Sequence, residues 1–420
     1  LPITDPSFPA LHGRPARGWV NDPNGCAYVD GTYHVFFQYN PDGPVHHRIQ
    51  WGHATSTDLV RWTEQPVAFG PRDGGPDAFG CWSGVMGFDG GTPTAFYTGI
   101  RGAPADSRVL TATSDSAMIE WVQSEVPVAG MPDEPGLTEV RDPFLFSFEG
   151  RDYAIQGSGY TDGTPVILLY RCHTRTDWEY LGPLVTGGSG VAAAHAPAHI
   201  WECPQLFRVD GQWVLVVSLW SRHDAGHHLG GVAYLAGELS EGGVGLKFLP
   251  ASGGPVDAGP DFYAPQVLAA SLSEPRTLMW AWTWDESRPA ADVDAAGWCG
   301  ALTYARSLSY RDGELRSEPV SEVSSLRSGV LFRGAGSFAV PAAARAFEVS
   351  ADGPVQLVVV DGAACTVVAA VSSGRILVDG SVVEVFGSES VPRTLHAYPT
   401  ATSRFEVRAL GECTVHELAL

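Results

Sequence analysis

Three acidic residues, Asp22, Asp142 and Glu202, sit in the short Pro-containing segments NDPN (21–24), RDPF (141–144) and ECPQ (202–205). Each stands just ahead of an apolar, strand-like run. They fall on a sixty-residue interval, whose remaining places are held by Trp82 and Phe262. Taken alone, NDPN is turn chemistry, because Pro presets φ and Asn tolerates positive φ. Three carboxyl groups facing one place repel one another and add nothing to the stability of a scaffold, so their recurrence points to a reacting site. Clustered acids also suit a hard cation, which takes oxygen ligands. The nearby aromatics Trp19, Trp51, Trp82, Tyr263 and Trp282 favour a sugar platform over an ion cage.

The elements that must position these residues form a repeat. CAYVDGTYHVFFQ (26–38), VMGFDGGTPTAFYT (85–98), FLFSFEGRDYAIQG (144–157), QLFRVDGQWVLVVS (205–218) and QVLAASLSEPRTLMWAW (266–282) share one pattern. Each has an apolar run, a tight turn and a second β-branched or aromatic run, which is a hairpin signal. The turns are expected at Asp30-Gly31, Asp89-Gly90, Glu149-Gly150, Asp210-Gly211 and Ser273-Glu274. A second hairpin follows in each unit, plainest in ATSTDLVRW (54–62), ATSDSAMIEW (112–121) and CHTRTDWEY (172–180). Five four-stranded units at propeller-blade period predict an all-β fold, a five-bladed β-propeller over residues 1–325. The first strand of every blade lines the axis, so the acids converge there. Residues 326–336, rich in Ser and Gly, read as a linker, and 337–420 as a small β-sandwich.

Composition narrows the function classes. A formal charge of -21 argues against nucleic acid and against an anionic membrane surface. No apolar run of 18 residues is present to span a membrane. The chain opens at Leu1 without Met or a charged-then-apolar leader, which reads as a signal segment absent or removed. Seven scattered cysteines, odd in number and without a CxxC pair, suit reduced, mostly buried thiols and lean toward a cytoplasmic rather than an exported protein. His46-His47 and His227-His228 lack the spacing of a ligand set and read as solvated loop residues.

The same residues carry a resemblance to the invertase and fructanase family, glycoside hydrolase family 32, along nearly the whole chain. It rests on WVNDPNG (19–25), FFQYNP (36–41), WGHATSTDLVRW (51–62), WSG (82–84), RDP (141–143), EC (202–203), DFYA (261–264), WAW (280–282) and DGSVVEVF (379–386). The first, RDP and EC are specific in this order and spacing. The resemblance implies a retaining β-fructosidase that releases fructose from sucrose, fructo-oligosaccharides or fructans, needing no metal or cofactor. Carried over by motif, Asp22 is the nucleophile, Glu202 the acid/base and Asp142 the transition-state stabiliser. Asn21, Gln38, Trp51, Trp82, Ser83, Arg141, Tyr263 and Trp282 complete the fructose pocket.

These residue types suit that chemistry. Cleaving a ketosidic bond builds oxocarbenium character, one acid protonates the leaving oxygen, and another traps the sugar covalently. Arg141, beside Asp142, is expected to keep that aspartate ionised. Val20 and Val85 depart from the commoner Met and Ser of the family, which bears on chain-length preference rather than on the acids. The alternatives are a fructosyltransferase using the same intermediate, a propeller glycosidase for arabinan or xylan, and a sugar-binding propeller without turnover. Linkage and oligomeric state leave no mark in these motifs.

Overall fold

The computed structural model describes residues 5–223, 226–388, 390–400 and 402–420. Five antiparallel sheets follow one another as blades, each built in chain order from the axis outward. Their innermost strands are Gly18–Val29, Gly80–Asp89, Leu137–Phe148, Ile200–Val209 and Tyr263–Leu268. Strand Trp298–Cys299, from the last blade's long loop, pairs in parallel with Gly18 and Trp19 and helps to close the ring. Two short α-helices, Gly190–His195 and Ala290–Ala296, lie in connections between strands.

The expected hairpin turns occur at Asp30-Gly31, Glu149-Gly150 and Asp210-Gly211, where both central residues have positive φ, as a type I′ turn requires. In the second blade the turn falls one residue later, on Gly90 and Gly91. Two adjacent glycines enter the left-handed region at less steric cost than an Asp-Gly pair. In the fifth blade, Ser273-Glu274 belongs to a longer loop. Glu274 is buried there and bonded to Tyr33 and Arg276.

The sixty-residue register needs correction, and the cause is backbone geometry. Each innermost strand breaks its ladder near its start: between Val20 and Pro23, Trp82 and Gly84, Glu202 and Gln205, and Tyr263 and Gln266. In the third blade the break falls between Arg141 and Phe144. Pro23, Pro143, Pro204 and Pro265 stand at these bulges, where no ladder N–H is needed. Gly84 takes that place in the second blade, because a Cβ there would overlap the Phe96 carbonyl. Asp142, Cys203 and Ala264 hold equivalent positive-φ conformations of 59°, 45° and 48°.

The equivalent positions are therefore Asp22, Ser83, Asp142, Cys203 and Ala264. One residue earlier stand Asn21, Trp82, Arg141, Glu202 and Tyr263. Glu202 does not share its place with the two aspartates. Phe262 is fully buried and lies beneath the Arg306 guanidinium, 4.9 Å from its ring centroid.

The segment read as a linker is a strand. Arg327–Ala339 pairs along the long strand Ser403–Leu418. Its Ser and Gly residues are mostly exposed, with Gly334 and Gly336 at positive φ where the ladder breaks. The C-terminal strands form one curled eight-stranded sheet around Phe347, Val349, Leu357, Ile376, Val378 and Val415.

The joint to the propeller is packed and charged. Val323 and Leu326 sit in one core cluster with Phe37 and Trp280 of the propeller and Leu377, Phe386 and Leu418 of the C-terminal sheet. Across the joint, the fully buried Arg306 pairs with Asp257 at 2.8 Å and with Glu384 at 2.5 Å. His12, from the N-terminal segment, bridges Asp379 at 2.7 Å and Glu384 at 3.3 Å. Burial alone would lower the His12 pKa, but the bonds to Asp379 and Glu384 prevail and raise it to about 9.

Candidate active site

The bulges bring consecutive side chains of each inner strand to the axis. Hydrogen bonds from Ser83, Gln38 and Asn21 fix both carboxyl oxygens of Asp22. Ser83 Oγ donates to Oδ2 at 2.5 Å, Gln38 Nε2 to the same oxygen at 3.1 Å, and Asn21 Nδ2 to Oδ1 at 3.0 Å. Trp19 Nε1 in turn donates to Asn21 Oδ1 at 2.6 Å. Burial holds the Asp22 carboxyl above the usual aspartate range, against the opposing bonds from Ser83 and Asn21.

Asp142 lies deeper, 6% exposed, and accepts the Cys203 backbone N–H at 2.9 Å. Its own N–H donates to Thr98 Oγ1 at 2.8 Å. The Cys203 thiol stands between the aspartates, with Sγ 3.5 Å from Asp22 Oδ2 and 3.6 Å from Asp142 Oδ2. Burial and two neighbouring carboxylates push this thiol well above its ordinary pKa, so it sits there as neutral SH. The motif EC contains Cys203, whose only sequence signal for a place in the site is its adjacency to Glu202.

Glu202 is held at both oxygens, by Arg141 Nε at 3.0 Å and by Tyr263 OH at 2.7 Å. Arg141 also pairs with Glu139, a residue the motif reading passed over. This corrects the expectation for Arg141. Its hydrogen bonds go to Glu202 and Glu139, and its charge on Asp142 is outweighed. Burial first, then the Glu202 charge, raise the Asp142 pKa to about 7.

A raised folded-state pKa means that the neutral form of Asp142 favours the fold. That contribution is complete below the ordinary aspartate value and is lost as pH rises through about 7. The Asp142→Asn variant should therefore show a shallower fall of thermal midpoint between pH 4 and 8 than the wild type. Parallel midpoint-versus-pH curves would contradict this placement.

The aromatics divide. Trp51 is completely buried, stacked on Phe69 at 5.0 Å, and belongs to the core shared by the first two blades. It is a support, not a wall: its Nε1 donates to the Trp82 carbonyl at 3.2 Å. The reason is its place on the third strand of the first blade, Gln50–Ser56, from which the ring packs between blades. Trp82 is partly exposed, with the exposed His46 edge-on at 5.7 Å, and the same imidazole is edge-on to Trp19 at 6.1 Å. Trp282 pairs across from Tyr263 and packs on Trp19 at 5.7 Å. His46, read as a solvated loop residue, is exposed and packs edge-on against two indoles.

The profile of the Glycosyl hydrolases family 32 N-terminal domain matches residues 12–319. The chain is 32% identical over 327 residues to a raffinose invertase of Escherichia coli, covering 76% of this chain and 66% of that protein. It is 30% identical over 334 residues to a sucrose-6-phosphate hydrolase of Escherichia coli, with the same coverage of each. A fructan 1-exohydrolase of Triticum urartu matches at 32% over 342 residues, 76% of this chain and 55% of the relative. The match spans just under two thirds of the two bacterial relatives and about half of the plant one.

Among solved structures, a GH32 beta-fructofuranosidase of Bombyx mori superposes with a TM-score of 0.82 at 22% identity, covering 100% of this chain and 95% of that one. Fructan 1-exohydrolase IIa of Cichorium intybus gives 0.77 at 22% identity, covering 98% and 97%. These last two are likenesses of fold, a propeller with its C-terminal sheet. Together with the profile match across the whole propeller, they make the assignment plain: this chain belongs to glycosyl hydrolase family 32.

Proposed function

We propose that this chain is a retaining glycoside hydrolase that releases terminal β-D-fructofuranosyl units from sucrose, fructo-oligosaccharides or fructans. The observation that carries the reading is the convergence of Asp22, Asp142 and Glu202 on one axis, each fixed by its own donors. Invertase and fructan exohydrolase relatives support the substrate class.

In the first step a carboxylate oxygen of Asp22 attacks the anomeric carbon of the fructosyl unit. The bond to the leaving oxygen breaks, and that oxygen takes the proton of Glu202. In the second, Glu202 takes a proton from water, whose oxygen displaces Asp22 and frees fructose. Ser83, Gln38 and Asn21 hold the nucleophile in one orientation, so little is lost in aligning it at reaction. Arg141 and Tyr263 do the same for Glu202. Asp142 accepts hydrogen bonds from fructose hydroxyls, which strengthen as positive charge develops on the ring.

Product analysis by chromatography tests the reading, with sucrose, inulin and levan supplied separately. Free fructose from chain ends is the expected product. No release from any of the three would overturn it, and oligosaccharides longer than the substrate would mark a fructosyltransferase instead.

A further inference from the structure

The connection from the fourth blade to the fifth, residues 257–262, runs straight into Tyr263, whose hydroxyl holds Glu202 at 2.7 Å. It lies along Arg393–His396, the edge strand of the C-terminal sheet. The other side of that strand pairs with Val382–Gly387. An edge strand leaves its outward N–H and C=O groups in need of partners. The connection supplies them in order. Asp257 Oδ1 accepts the Thr394 N–H at 2.9 Å, and the Ala258 N–H donates to the Pro392 carbonyl at 2.8 Å. The Asp261 N–H donates to the Thr394 carbonyl at 3.2 Å, and Asp261 Oδ2 accepts the His396 N–H at 2.6 Å.

The approach is close. A Cβ on Gly259 would lie 2.0 Å from the Thr394 carbonyl oxygen, so glycine is what lets the two backbones meet. Phe262 is gripped as well. The Arg306 guanidinium lies 4.9 Å from its ring centroid and 4.9 Å from that of Phe386 on the C-terminal sheet. Both residues ahead of Tyr263 are thus tied to that sheet. The nucleophile is anchored elsewhere: the donors to Asp22 come from the first two blades. A slackened clasp should therefore disturb Glu202 and spare Asp22.

We propose that the C-terminal sheet is a positioning element of the active site: through Asp261, its strand Arg393–His396 sets the place of the Tyr263 hydroxyl and so the aim of Glu202 at the leaving oxygen. Asp261 is the positioning residue. The inference rests on the fructosidase reading above, and it gives a part of the chain without chemistry of its own a share in the proton-transfer step.

The test is kcat/KM, which reports formation of the fructosyl-enzyme, on sucrose and on a fructosyl fluoride, whose departure needs no proton. Asp261→Ala and Gly259→Ala should each lose about tenfold on sucrose, a part of what proton transfer is worth, and less than about twofold on the fluoride. Asp261→Asn, whose amide oxygen still accepts the His396 N–H, should keep the wild-type sucrose-to-fluoride ratio. In a Tyr263→Phe background the hydroxyl is gone, so adding Asp261→Ala should move the ratio no further. The ratio is taken within one preparation, so a partly unfolded variant leaves it unchanged. An unchanged ratio in Asp261→Ala, an equal loss in Asp261→Asn, or a further fall when Asp261→Ala is added to Tyr263→Phe overturns the assignment. A wild type that frees fructose from neither substrate overturns the fructosidase reading instead.

Discussion

In the Glu202→Gln variant, sucrose turnover should fall by about 10²–10⁴-fold, the usual worth of general acid catalysis, because the glucosyl oxygen leaves poorly without a proton. The same variant should still react with a fructosyl fluoride, whose leaving group needs no protonation. It should then stall as the fructosyl-enzyme, since the attacking water has lost its base. Asp22→Asn has no comparable nucleophile and should fail on both substrates without forming an adduct. Intact-protein mass spectrometry after brief exposure separates the two. A fructosyl unit on the Asp22 variant, or none on the Glu202 variant, would reverse the two roles. Arg141 can still donate to the amide oxygen and the Tyr263 hydroxyl can accept from the amide nitrogen, so the contrast should reflect lost proton transfer more than a collapsed pocket.

Arg306→Leu should be the most destabilising single change at the joint between propeller and C-terminal sheet. It would leave Asp257 and Glu384 fully buried, each without its guanidinium partner. Breaking a buried pair in this way typically costs about 3–5 kcal/mol, because the remaining charge keeps its desolvation penalty. Urea unfolding followed by tryptophan fluorescence should show a clearly lower midpoint. Replacing the trio together, with Asp257→Asn and Glu384→Gln added, should recover part of the loss, since no uncompensated charge remains. A single variant as stable as the wild type would mean that the network does not join the two parts.

How far the sequence disclosed this molecule differs by element. The hairpin units were legible because turn chemistry and two-residue alternation are local, and a repeat reports itself five times. The acids were legible because their motifs repeat with Pro beside them. What the spacing could not carry was the bulge at the start of each inner strand. A sixty-residue count put Glu202 in line with the aspartates and Phe262 in the pocket, while the left-handed backbone of Asp142, Cys203 and Ala264 shifts the frame. Nearest neighbours in sequence also misled for Arg141, whose partner Glu202 lies on the next blade. The strand Arg327–Ala339 looked like a linker because its residues face solvent, and pairing with the distant Ser403–Leu418 leaves no local pattern. Trp51 read as pocket because the family resemblance carried it over by motif, but the fold turns its ring inward.

The bulge has a consequence for how such a scaffold changes over time. An uninterrupted strand offers the axis every second residue, so five blades would present five side chains at a given depth. Because each blade here turns two neighbours inward, the same depth holds ten addressable positions, occupied in this chain by three acids, an amide, an indole, a guanidinium, a phenol, a hydroxyl, a thiol and a methyl group. The backbone that sets them is held by proline, glycine and positive-φ residues, and the side chains are free to differ from blade to blade. Chemistry can therefore be rewritten by substitution at those places without disturbing the alternation that keeps the blades together.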